Sequence, residues 1–67
     1  MSGLQRRIMT ILRRNVARSD RELAALTGVP VAALRLSLFD LYRRGCVDFV
    51  RDYVVLGPEA DARERAA

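Results

Sequence analysis

Between Ser19 and Val47 runs the stretch SDRELAALTGVPVAALRLSLFDLYRRGCV, which constrains this chain more than any other. Ser19 has a side-chain oxygen able to accept from a free backbone N–H in a first helical turn. Glu22 stands three residues later, where its carboxylate reaches back to the cap's own N–H and completes a capping box. Leu23 and Leu26 then supply a short apolar face. Gly28 suits the left-handed conformation that ends a helix. Pro30 has φ preset for a first helical turn and lacks the N–H that would go unpaired there. Leu34, Leu38 and Leu41 follow at spacings of four and three, forming one stripe, and Gly45 stops the run. The stretch therefore predicts a helix over 20–27, a tight turn and a longer helix over about 30–44.

On the N-terminal side, Leu4, Ile8, Ile11 and Leu12 fall on one face of a helix over 4–16, with Met9 and Val16 extending it. Arg6 and Arg13 are seven apart, as are Arg7 and Arg14, so each pair shares a side of that helix. Such a stripe is either a solvated face or a phosphate-facing one. Asn15 to Arg18 link this helix to the capping box and have room for a strand of two or three residues that pairs with a later hairpin. After Gly45 the pattern changes. Cys46 to Val50 and Tyr53 to Leu56 are rich in β-branched and aromatic residues and predict two short strands. Arg51-Asp52 between them is a turn without the glycine of a strong hairpin signal. Gly57-Pro58 punctuates the second strand. One domain over 1–58 is expected, followed by a short tail over 59–67 that is a frayed helix or disordered.

Sixty-seven residues make one domain at most and bury roughly 60% of their unfolded surface, so a dimer or a bound partner is a natural supplement. With four aromatics, the core must be built mainly of Leu, Val, Ile and Ala. The net charge is +4, and all twelve basic residues are arginine, which either follows from a GC-rich coding sequence or supplies the better side chain for bidentate contact with phosphate or carboxylate. Residues 1–18 hold five arginines and no acid, so an anionic partner should meet the N-terminal half. One cysteine allows no internal disulfide. No apolar run suits a signal peptide or approaches the ~20 residues of a membrane span, which gives a cytoplasmic expectation. There is no histidine, cysteine pair or glycine-rich phosphate loop. The expectation is a protein that is not an enzyme and has no metal, cofactor or small-molecule substrate.

A helix, two helices joined by a glycine turn, then a hairpin is the order of a winged helix-turn-helix domain, and over residues 4–60 the chain resembles that family. The resemblance rests on Leu23-Ala24, Gly28-Val29, the Leu34/Leu38/Leu41 run, Gly45-Cys46-Val47 and Tyr53-Val54-Val55-Leu56-Gly57-Pro58-Glu59. It implies a mainly α fold with a three-helix core and a two-stranded wing. It also implies a small bacterial-type transcriptional regulator that binds double-stranded DNA, often as a homodimer, with the helix at about 30–44 in the major groove.

On that alignment the base-facing positions are Val31, Ala32, Arg35 and Leu36, of which Arg35 alone can make the bidentate contact to guanine. Ala32 or Val31 would touch a thymine methyl. Arg6, Arg13, Arg43, Arg44 and Arg51 are the expected phosphate contacts. Two features depart from the family pattern. Leu36 and Phe39 occupy outward positions where polar residues are expected, and the wing carries Asp48 and Asp52 against Arg51. They favour a second reading, a protein-interaction module with Leu36 and Phe39 at a partner or dimer interface. For Phe39 the plainer alternative is packing under the wing on Phe49 or Tyr53. Cys46, between a helix-ending glycine and valines, reads as a small buried hydrophobe or else as a redox-sensing thiol.

Overall fold

The computed structural model describes residues 1–15 and 17–60. The order is helix α1 (Gly3–Arg14), strand β1 (Ala17–Ser19), helix α2 (Asp20–Thr27), helix α3 (Val31–Arg43), then strands β2 (Val47–Val50) and β3 (Tyr53–Leu56). The fold is mainly α with a small antiparallel sheet. The sheet corrects the expected two-stranded wing: it has three strands, in the order β1-β3-β2. Ala17–Ser19 fills the edge of β3 that a hairpin alone would leave open, pairing Ala17 with Val55 and Ser19 with Tyr53. Covering that edge satisfies backbone groups that would otherwise stay unpaired. Val16 and residues 61–67, which include most of the expected tail, lie outside the described residues.

Both short helices start where their side chains cap them. At α2 the Ser19 hydroxyl accepts from the Glu22 N–H at 3.1 Å, while the Glu22 carboxylate accepts from the Ser19 N–H at 3.1 Å. A second capping box opens α1: Ser2 Oγ accepts from the Gln5 N–H at 3.1 Å and Gln5 Oε1 accepts from the Ser2 N–H at 3.0 Å. The other end of the Gln5 amide donates to Asp40 Oδ2 at 2.7 Å, which ties α1 to α3 and accounts for a buried polar side chain. α2 ends on Gly28 at φ +75°, a left-handed cap. Pro30 is the N-cap of α3, so the helix proper begins one residue later, at Val31. Between α2 and α3 the chain turns through 111°.

The core forms where the three helices meet the sheet. Ile8, Met9 and Leu12 come from α1 and Leu23 and Ala24 from α2. The whole Leu34/Leu38/Leu41 stripe of α3 joins them, as do Cys46, Val47, Val54 and Ala60. Burying each large aliphatic side chain contributes about 1.5–3 kcal/mol, which must offset the entropy of ordering the chain. Leu26 departs from its expected place: it is 49% exposed. In an eight-residue helix the centre of the buried face is set by Leu23, Ala24 and Thr27, and Leu26 falls on its flank.

The β2–β3 turn places Arg51 at φ +56°, the one non-glycine residue with positive φ among those described. Two-residue hairpin turns demand such angles, and a side chain there costs about 1–2 kcal/mol. Replacing Arg51 with Gly is therefore expected to raise stability by about 0.5–1 kcal/mol, once glycine's greater unfolded-state entropy is deducted. A thermal melt should move up by about 2–8 °C. An unchanged or lower midpoint would mean that the turn is unstrained.

Candidate functional site

α3 buries its leucine stripe and turns the opposite face outward. Of the expected base-facing residues, Val31 is half-buried against the core, while Ala32, Arg35 and Leu36 are exposed. Leu36 is 75% exposed. Phe39 does not fold under the hairpin onto Phe49 or Tyr53: it is 59% exposed, and Tyr42, three residues on, packs against Phe49 instead, with ring centroids 5.3 Å apart. Tyr42 lies on the helix flank nearer β2, so it reaches the hairpin first. The result is an apolar ridge along α3, Leu36 to Phe39 to Tyr42, that continues onto β2 at Phe49.

Arg35 stands beside this ridge with its side chain 60% exposed, and it is not free. Its Nε donates to Asp20 Oδ2 at 2.7 Å. Asp20 is the first residue of α2, so the turn between the helices brings together residues fifteen apart in sequence. The contact uses Nε alone and leaves both terminal nitrogens of the guanidinium available. Arg35 is thus held through Nε while its side chain stays mostly exposed. Nothing in the sequence marks this pairing.

The other arginines divide by their partners. Arg44 sits 3.4 Å from Asp40, four residues earlier on α3, and remains exposed. Arg43 is exposed at the end of α3, and Arg51 is exposed at the hairpin tip. Arg6 and Arg13 are exposed on α1, so the structure does not gather the expected phosphate contacts on one element. Arg7 has a structural task that sequence reasoning missed. Its guanidinium donates to the carbonyls of Leu26 and Thr27, each at 3.3 Å, and so satisfies the C-terminal end of α2. Arg18 Nη1 holds Glu22 at 3.0 Å.

Two carboxyls respond to these contacts. The hydrogen bond from Arg35 holds Asp20 below its ordinary 3.8, with the Arg21 N–H helping. The Ser19 N–H, then Arg18, holds Glu22 below 4.5. Both folded values lie below the unfolded ones, so the stabilisation they give is complete above about pH 4.5. It is lost as pH falls through 3.8 and below. Asp20→Asn should therefore show a shallower loss of thermal stability than the parent between pH 5 and pH 2.5, by about half a kcal/mol or less for so exposed a pair. Equal slopes would show that other carboxylates set the acid limb.

Cys46 is fully buried among Leu41, Val47 and the other core residues. Burial favours the hydrophobic reading of this residue over the redox one. No three carboxylate or thiol side chains gather to hold a metal among the described residues, and no single helix among them is long and apolar enough to cross a membrane. Comparison with protein-family models, curated proteins and solved structures finds no match for this chain.

Proposed function

We propose that the chain is a winged helix-turn-helix regulator that binds double-stranded DNA, with α3 in the major groove and the β2–β3 hairpin as the wing. The observation that carries this reading is the steadied Arg35. A guanidinium held by its Nε, exposed, and offering two parallel N–H groups matches the O6 and N7 acceptors of guanine. Its position, early on the outward face of a helix set at 111° to its predecessor, is where a helix-turn-helix presents base-reading side chains. Arg13 on α1, Arg43 and Arg44 at the end of α3 and Arg51 at the hairpin tip then supply phosphate contacts, while Arg6, the fifth expected contact, lines the groove between α1 and α2. Ala32 and Leu36 are small or apolar enough to meet thymine methyls. The test is binding to genomic fragments over a range of salt. With about four phosphates neutralised, log affinity should fall against log salt with a slope of roughly −4. Retention that ignores salt, or none at low salt, would remove the reading.

The apolar ridge favours a second reading. Leu36, Phe39 and Tyr42 give α3 a contiguous exposed apolar surface, which a monomer seldom leaves in water. In this reading the same face holds a protein partner or a second copy of the chain. Leu36→Asp separates the two. Loss of an oligomer with DNA affinity intact assigns the ridge to protein contact. Loss of DNA affinity from a protein that is monomeric before and after assigns it to DNA.

A further inference from the structure

A second surface lies apart from α3. α1 and α2 pack at an angle that leaves an open groove of about 300 Å³ between them, lined by Arg6, Arg7, Thr10, Ile11 and Leu26. Its floor is apolar: Ile11 is half-buried against the core, and Leu26 is the residue that α2 leaves half-exposed. Its rim is cationic. Arg7 is fixed there by its two bonds to the α2 carbonyls, and among the described residues Arg6 has no acid within ion-pair distance. No acidic residue occurs anywhere in the first eighteen positions, so nothing on α1 offsets these charges.

We infer that this groove is a docking site for an acidic amphipathic segment of another protein, which seats an apolar side chain on Ile11 and Leu26 and sets a carboxylate against Arg6 and Arg7. The two halves of the lining select this occupant jointly. A phosphate backbone matches the guanidinium groups but has no use for the apolar floor. A purely apolar partner matches the floor but leaves two cations desolvated against it, which is costly. A chain with leucine-like and carboxylate side chains side by side satisfies both. Such docking goes beyond DNA binding: it would give a DNA-bound regulator a contact for acidic protein surfaces while α3 remains engaged. It stands whether or not α3 binds DNA, because it shares no residue with that face.

The experiment uses the full chain and a labelled synthetic peptide with leucines on one helical face flanked by glutamates, alongside a twin with lysine in place of glutamate. Amide and methyl resonances are followed during titration. Shifts at Ile11 and Leu26 with the acidic peptide, but not the basic twin, are expected. Arg6→Glu and Leu26→Lys should each weaken binding by about tenfold or more. Both positions are exposed, and circular dichroism would show whether the variants fold as the parent does. Three results would overturn the inference: no shift at Ile11 or Leu26 at millimolar peptide, shifts in a folded Leu26→Lys variant equal to those of the parent, or a short DNA duplex that shifts Arg6 and Arg7 more strongly than the peptide does. The last would return Arg6 to phosphate contact.

Discussion

Gly57→Ala is expected to cost this chain about 3 kcal/mol or more of its stability. A Cβ on Gly57 would overlap the Gly45 carbonyl oxygen and come within 3.0 Å of the carbonyl carbons of Gly45 and Cys46. All three are backbone atoms, so no side-chain rotation relieves the clash. The same junction carries two long-range bonds, from the Gly57 N–H to the Cys46 oxygen at 2.8 Å and from the Glu59 N–H to the Gly45 oxygen at 2.9 Å. They staple the exit of β3 to the end of α3 and hold Ala60 in the core. Overpacking costs about 1–3 kcal/mol where side chains can adjust, and backbone against backbone belongs at the top of that range or above it. A domain of this size has a total stability of only about 3–10 kcal/mol. Far-ultraviolet circular dichroism with a urea titration would read the loss directly. A midpoint close to the parent's would mean that β3 and α3 can separate at this point without consequence. Gly45→Ala should do less harm, because the Cβ there meets only the flexible Glu59 side chain, at 2.8 Å from its Cγ, on top of the cost of φ +77°.

How much of this was legible in the sequence depends on how local each cause is. The Ser19–Glu22 capping box, the Gly28 stop and the Leu34/Leu38/Leu41 stripe are decided within a few residues, so their spacing suffices, and the structure has them as expected. The Ser2–Gln5 box has the same three-residue signature, beside a stronger apolar pattern. β1 is three residues long and shows too little alternation to distinguish a strand from a link; only its pairing with β3 defines it. The spacing of Leu26 from Leu23 predicts an inward side chain, but a helix of two turns has few inward positions, and three others take them. The exchange of Phe39 for Tyr42 as the partner of Phe49 is likewise a matter of which flank of α3 faces β2, which no periodicity in α3 reveals.

The candidate site divides in the same way. That Arg35 faces outward follows from the leucine stripe. That Asp20 steadies it does not, because the pair depends on the angle between α2 and α3. The bonds from Arg7 to the end of α2, and the groove beside them, arise from the packing of α1 on α2 and have no counterpart in residue spacing. Side chains that define a helix are written in its own sequence; those that link two helices appear only once the helices are placed.

Arg35 and Asp20 give the functional prediction with the largest expected effect. If α3 reads bases, Arg35→Ala should abolish preference at one guanine, where a bidentate contact discriminates by about 1–3 kcal/mol, or about 5- to 150-fold. Binding to unrelated duplexes should fall far less, since phosphate contacts supply that affinity. Arg35→Lys should keep the charge and only part of the guanine preference, because an ammonium reaches O6 and N7 without the planar parallel donors. Asp20→Ala sets two effects against each other. It removes a negative charge close to the DNA, which should raise affinity for every sequence. It also frees Arg35 to sample rotamers it must then abandon on binding, which should lower preference for guanine by about tenfold or less. Tighter non-specific binding with weaker discrimination is therefore the expected signature. A quantitative footprint or competition assay on duplexes differing at single positions would read both. As folding elements, the two residues form an exposed ion pair worth about 0.2–1 kcal/mol. An Asp20→Ala variant that loses only that stability, with discrimination intact, would reduce Asp20 to a surface partner and leave Arg35 without its strut.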